Sequence, residues 1–296
     1  LFDNSQAGRP RIALEFAADR VVAARANDSH TALESFSVRR LPAGSLTPGF
    51  TGNNITLAEA VDQAVTAALE SVGAQRGEVI VLLPDLAARL LLLDFEQLPA
   101  YLPDAESIVR FRLKKALPFD VEQAAVSFET RRNGTAHVLA AVSPRDVLAE
   151  YETVMRNAGY APGVVLPSLL GALEVLENDR AIMLVKNDPG VTSVVIADHG
   201  SVALVRTLEH PGQPDFTLSE LTESVHPSMV YFEDNYGSKV EQIVVSGMDA
   251  AVLAAGLHAE FNVPAEEIGY GRGFGEPMGE SAARFVLAPL AGALIG

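Results

Sequence analysis

The sequence predicts an α/β protein of two lobes, with a small α+β unit inserted in the first lobe. Three observations carry that reading. A hairpin followed by a third strand occurs twice, beginning at Arg11 and at Ala181, so the topology repeats within the chain. The run over residues 78–83 is nearly all apolar, as in a strand covered on both faces. At Pro84 the pattern changes, and up to about Gly159 short strands and helices follow the order of a separate layered unit. These features place the first lobe at residues 8–180 with the insert at about 85–160, and the second lobe at 181–296. The closing helix, 281–296, is expected to pack back on the first lobe.

A chain of 296 residues is long enough for two lobes with separate cores, and 48% apolar residues make a folded globule the default. The formal net charge of −16, with scattered Lys and Arg, repels phosphate backbones and excludes nucleic acid as a partner class. Cysteine is absent, which removes disulfides, thiolate metal sites and cysteine nucleophiles together and fits a cytoplasmic setting. No apolar run reaches the roughly 18 residues of a membrane helix. Residues 285–295 come nearest and contain Pro289. The N-terminal stretch has none of the three regions of a signal peptide. A chain that opens on Leu1 and stops just after an apolar segment reads as a trimmed piece, which leaves a membrane span after residue 296 as an alternative.

Taken in order, residues 1–10 are polar and frayed, and 11–16 and 20–27 are strands joined by Ala17-Ala18-Asp19. A third strand covers 33–41, and a loop bearing Pro, Gly and Ser follows to Asn54. Thr56 is the expected N-cap of a helix over 57–72, with Glu59 completing a capping box and Gly73 ending it. In the insert, 90–95 is a strand, and strands over 124–131 and 135–142 flank the hairpin signal Asn133-Gly134. Ser143 is read as the cap of a helix with Pro144 at its first position, closed by Gly159. A small sheet with two helices on one face follows.

Val164 and Val165 return the chain to the first lobe, and a helix over 168–177 leads to the second. There, 181–185 and 191–197 form a hairpin, and 201–207 adds a strand after the His199-Gly200 turn. The helix over 218–236 contains Pro227, which should kink or restart it. A strand at 242–245, a helix at 250–261, a glycine-rich stretch at 269–279 and a helix at 281–295 complete the chain.

Local signals agree best over residues 104–128. Asp104 is an N-cap candidate, and Ile108, Phe111, Leu113 and Ala116 make an apolar helical face. Arg110, Arg112, Lys114 and Lys115 take the wetter sides. Pro118 disfavours helical backbone at Leu117, so the basic end of the helix runs into a Leu117-Pro118-Phe119 corner before the next strand.

A basic-ended helix, an [IL]-P-F corner, an acidic position and a strand resemble the inserted subdomain of PilM-type actin-like proteins, cytoplasmic pilus-assembly proteins of bacteria. The same order is similar to the cytoplasmic part of GspL in type II secretion, and the likeness of pattern runs from about Arg11 to the C-terminus. The resemblance implies an actin-like (ribonuclease H-like) fold. It also implies a non-catalytic scaffold peripheral to the inner membrane, in a type IV pilus or type II secretion platform. By the same resemblance the partner is the cytoplasmic tail of a PilN-like membrane protein, held in a groove between the insert and the first lobe around Leu117, Pro118 and Phe119. GspL-like proteins dock a secretion ATPase. The cluster Arg110, Arg112, Lys114 and Lys115 reads either as a solvated helix end or as a docking face for an acidic partner or an anionic membrane.

Intact actin-like proteins hold ATP and Mg²⁺ between the lobes, and the resemblance places that cleft at Glu15, Ala17, Ala18, Lys186, Gly190, Thr192 and Gly247. Ala17 and Ala18 put methyl groups where close backbone approach to phosphate is wanted. In the second turn family members read roughly D-I-G-A-x-x-T, whereas Lys186 stands here at the acid position. Of a third, glycine-rich turn only Gly247 survives, in Ser246-Gly247-Met248-Asp249. The expectation is a degenerate cleft without cofactor or catalytic residues, with Lys186 paired to Glu15 within about 4 Å. The competing reading is an ATP-binding protein switched by nucleotide. His30, His137, His199, His210, His226 and His258 show no metal-ligand spacing and read as surface or turn residues. No G-x-S-x-G precedes a helix, and no G-K-[ST] follows the glycine run.

Overall fold

The computed structural model describes residues 9–133, 135–177, 179–210, 217–269 and 284–295. β1 (Ile12–Ala17) and β2 (Arg20–Ala26) form an antiparallel hairpin, and β3 (Leu33–Arg40) pairs on the far side of β2. After α1 (Ala58–Ser71), β4 (Glu78–Leu83) returns parallel to β1. The insert supplies β5 (Arg89–Phe95), α2 (Leu102–Leu113), β6 (Ala124–Asn133) and β7 (Thr135–Pro144), with sheet order β5-β7-β6. α3 (Arg145–Asn157) then leads to β8 (Ala161–Pro167), which pairs parallel to β4.

α4 (Ser168–Glu174) crosses to the second lobe. There β9 (Ala181–Asp188), β10 (Val191–Asp198) and β11 (Ser201–Glu209) repeat the hairpin and third strand. α5 (Leu218–Tyr236), β12 (Gln242–Gly247), α6 (Ala250–Phe261), β13 (Ala265–Glu267) and α7 (Arg284–Ile295) follow. The two large sheets, β3-β2-β1-β4-β8 and β11-β10-β9-β12-β13, match strand for strand.

The inner faces of both sheets meet on α4 and α7. Ala13, Val22, Ile80 and Leu82 come from one sheet, Ile182, Leu184, Val195 and Val244 from the other, and Leu287, Leu290 and Leu294 of α7 lie in the same core. A Cβ on Gly292 would sit 1.9 Å from the carbonyl oxygen of Gly171, so α4 and α7 cross at a separation only glycine permits. The outer face of the first sheet is covered by α1 and α3, and that of the second by α5 and α6. Among the described residues no helix is long and apolar enough to cross a membrane.

Several local expectations are corrected. The N-cap of α1 is Leu57, without a side-chain cap bond, rather than Thr56. α2 begins two residues before Asp104, which falls in its first turn, with Pro103 near the helix start. Ser143 and Pro144 finish β7, and the Ser143 hydroxyl donates to the Ala87 carbonyl at 2.8 Å instead of capping α3. The apolar face of α3, Val147, Tyr151, Val154 and Met155, joins the first-lobe core, so only α2 packs in the core of the insert sheet. α5 runs unbroken through Pro227 and opens on a capping box of Thr217 and Glu220. Residues 1–8 of the predicted frayed start, the glycine of Asn133-Gly134 and residues 270–279 of the glycine-rich stretch lie outside the described residues.

Candidate functional site

The cleft between the lobes is built where the two hairpin turns and the ends of β4 and β12 converge. Glu15 sits near the end of β1, paired antiparallel to Val22 of β2 and parallel to Leu82 of β4. Asp85 follows β4. From the other lobe, Lys186 on β9 faces Ser193 of β10 and Ser246 of β12 in register, and Asp188 ends β9 at the Pro189-Gly190 turn. Glu15, Asp85 and Lys186 are buried, and the Asp188 side chain is only 9% exposed.

Lys186 is the hub. Its Nζ lies against Asp188 Oδ2, 3.2 Å from Asp85 Oδ2 and 3.9 Å from Glu15 Oε1. The expected pairing with Glu15 therefore exists at the edge of contact, and Asp188 and Asp85 are the nearer partners. Arg20 reaches across the cleft from β2 to Asp188 Oδ1 at 2.7 Å and pairs with Asp19 at 2.7 Å. Asp85 is saturated, accepting from Ser193 Oγ at 2.9 Å and from the Leu169 backbone N–H at 3.0 Å. Ser168 at the start of α4 donates to Glu15 Oε1, whereas Glu15 Oε2 has no hydrogen-bond partner.

Three buried carboxylates thus face two buried cations, and the imbalance falls on Glu15. Burial pushes its carboxyl up to about 7, although Lys186 pulls in the other direction. Burial also works against the Lys186 ammonium, but Asp188, Asp85 and Glu15 outweigh it and hold the group above an ordinary lysine. For Asp188, burial is outweighed by Lys186 and Arg20, which keep it below the usual carboxylate range.

Ala17 and Ala18 face Pro189 and Val191 across a cavity of only about 10 Å³, also lined by Pro48, Pro84 and Asp188. Beneath it, Thr192 donates to Asn187 Oδ1 at 3.0 Å and contacts His210 Nε2 at 3.0 Å. His210 is consequently buried, a correction to its reading as a surface or turn residue. Burial lowers its basicity. Gly190 and Gly247 both have positive φ, 77° and 95°. A Cβ on Gly247 would lie 1.9 Å from the Asn187 carbonyl oxygen, so glycine is retained here for packing against β9.

Arg20, Asp85, Ser168 and Asp188 were given no role by sequence reasoning. Asp85 had a weak signal, an acid just past the C-terminal end of a buried parallel strand. The others join the cleft only through contacts between distant parts of the chain.

A second cavity, of about 470 Å³, lies between the insert sheet, α4 and the β10–β11 turn. Its floor is apolar, with Leu92, Leu139, Leu173 and Val202, and its walls carry Glu129, Glu174 and Asp198 beside His137 and His199. His137 contacts Asp94 at 2.6 Å and His199 contacts Asp198 at 2.7 Å. The Leu117-Pro118-Phe119 corner is not part of this wall. Phe119 instead packs on Phe50 of the 42–54 loop, ring centroids 5.6 Å apart, and the Arg89 guanidinium covers Phe50 at 4.7 Å. Of the basic cluster, Arg110 is bound to Glu106 at 2.8 Å and to the Val121 carbonyl at 3.2 Å, while Arg112, Lys114 and Lys115 are exposed.

No protein-family model matches the chain, and no curated protein sequence does. Solved structures do. A PilM–PilN type IV pilus biogenesis complex is similar with a TM-score of 0.80 and 21% identity, over 96% of this chain and 97% of that one. The cytoplasmic domain of EpsL, an inner membrane component of the Vibrio cholerae type II secretion system, gives 0.56 at 13% identity, over 96% and 94%. A Bacteroides thetaiotaomicron protein of actin-like ATPase fold and unknown function gives 0.54 at 10% identity, over 88% and 90%. The chain has the actin-like fold, and the structures it resembles include pilus and type II secretion components.

Proposed function

We propose that this protein is a non-catalytic assembly scaffold of a type IV pilus or type II secretion platform at the inner membrane, with an interlobe cleft that no longer takes nucleotide. The observation that carries the proposal is the use of the cleft by the protein's own charges. Pockets that bury a small molecule enclose roughly 300–1,000 Å³, against about 10 Å³ here. Where a Mg²⁺–phosphate group would need an acid and bare backbone, Lys186 supplies a cation and Ala17 and Ala18 supply methyl groups. These residues do not fit Mg²⁺ and ATP, and Lys186 with Arg20 does between the lobes what a bound cation otherwise does, bridging carboxylates. The likeness over nearly full length to a PilM–PilN complex supports the assembly role.

Thermal unfolding with and without Mg²⁺ and ATP, over a concentration series reaching several millimolar, is the direct test. The expected result is no shift of the midpoint. A saturable shift, about 2.7 kcal/mol at 100 times Kd, would establish the competing, nucleotide-switched reading.

The partner of this scaffold is proposed to be the cytoplasmic segment of a PilN-type membrane protein, seated in the 470 Å³ groove rather than at the Phe119 corner. An apolar floor with carboxylates on the walls suits a segment that combines aliphatic and basic side chains. Glu174→Lys with Asp198→Lys should weaken a titrated PilN-type segment by about tenfold or more, while Phe119→Ala leaves it unchanged. The reverse pattern would return the groove to the corner.

A further inference from the structure

The C-terminal end of α2 is a basic surface on an acidic protein. Tyr101, Leu102 and Phe111 are 67%, 66% and 67% exposed, and none of them joins the insert core. Tyr101 and Leu102 open the helix about two and a half turns before Phe111, whereas Ile108, also exposed, is the i−3 neighbour of Phe111 and shares its side of the helix at the basic end. Arg112, Lys114 and Lys115 close the same helix on its exposed side. Among the described residues none of these three side chains makes an ion pair, whereas Arg110, one step away, is bound within the insert. Three free cations exceed the half negative charge of a helix C-terminus. The insert sheet thus separates two faces, Leu92 and Leu139 toward the acidic groove and Leu93 and Val138 toward the core under α2.

We propose that the exposed face of α2 docks an acidic polypeptide segment with apolar anchors, from a partner distinct from the one assigned to the groove. Charge complementarity selects an acidic occupant; the exposed Phe111 beside Arg112 belongs to the residue types enriched at interface centres, and the two lysines to the polar rim that steers and orients a partner. The net charge of −16 decides between a polypeptide and an anionic bilayer. Screening confines interactions to about 8 Å in physiological salt. A narrow segment therefore feels mainly the local cations, whereas a bilayer plane also faces the acidic remainder of the molecule.

The probe is a synthetic amphipathic peptide with glutamates on one face and Leu and Phe on the other, its binding to the intact chain read by fluorescence anisotropy. The acidic peptide should bind, weaken as salt is raised, and lose to a version with lysine for glutamate. Reversal of the cations (Arg112→Glu, Lys114→Glu, Lys115→Glu) and, separately, Phe111→Ser should each weaken it by about tenfold. Both variants should keep the wild-type unfolding midpoint, because the side chains are exposed. The proposal is overturned if neither peptide binds, if both bind alike, or if either variant binds as the wild type does. Cosedimentation with phosphatidylglycerol vesicles that is lost in the same variants, without peptide binding, would overturn it in favour of a membrane surface.

Discussion

Lys186→Met is expected to destabilise the fold by about 3–5 kcal/mol, the usual cost of removing one partner from a buried ion cluster. Methionine keeps the length and most of the volume of the stem, so the loss is of charge rather than packing. What remains is Glu15, Asp85 and Asp188 without the cation that touches all three. Arg20 compensates only in part, because it reaches a single oxygen of Asp188. If this cluster behaved like a surface ion pair the cost would be about 0–1 kcal/mol, but Lys186 and Glu15 are 3% and 1% exposed. The sign with pH follows from the same geometry. Burial already holds the Glu15 carboxyl above its unfolded value and Lys186 is the main group pulling it down, so without Lys186 it rises further and the variant should recover part of its stability on mild acidification as Glu15 protonates. Urea unfolding at pH 7 and pH 5 reads both effects. A cost under about 1 kcal/mol at pH 7 would mean that the cleft is hydrated and that Lys186 is not the hub.

What was legible beforehand divides along the range of the interactions. The repeated hairpin and strand and the closing glycines are written in residues within a turn or two of each other, and the two hairpins and their third strands fall where those signals put them. Lys186 was also legible, because a lysine in place of the acid that the actin-like pattern expects is a local anomaly. Its setting was not. Arg20 and Asp188 are 168 residues apart, and Lys186 and Asp85 are 101 apart. No periodicity reports such pairings. The helical period of α3 was plain, but an apolar face does not say which sheet it will meet, and Tyr151 went to Phe16 of β1, ring centroids 5.2 Å apart. Likewise His210 follows a strand end and reads as a turn residue until β10 and its Thr192 close over it. Short edge pairing, as in the three residues of β13, carries too little pattern to be seen.

Glu15→Gln should make the protein more stable near neutral pH, a result opposite in sign to that of most substitutions in a buried polar cluster. The carboxyl of Glu15 titrates near 4.5 in an ordinary setting and at about 7 in the folded cleft. Between those values the folded protein holds a proton that the unfolded chain has released. Stability from this group is therefore present in full below about 4.5, falls as pH rises and levels off above about 7, a loss of about 3 kcal/mol at 1.36 kcal/mol per pH unit. Glutamine removes that loss and keeps an acceptor for the Ser168 hydroxyl, and Lys186 retains Asp188 and Asp85. Asp188 has the opposite linkage. Its lowered pKa gives stability that is present above its unfolded value and lost in acid, so both proteins should still unfold at low pH. In urea unfolding between about pH 4.5 and 8, the gap between variant and wild type should open from near zero to as much as about 3 kcal/mol. Parallel curves, or a variant weaker throughout, would mean that Glu15 is ionised and bound to Lys186 as a full charge. In that case the cleft would retain the acid that a metal site requires.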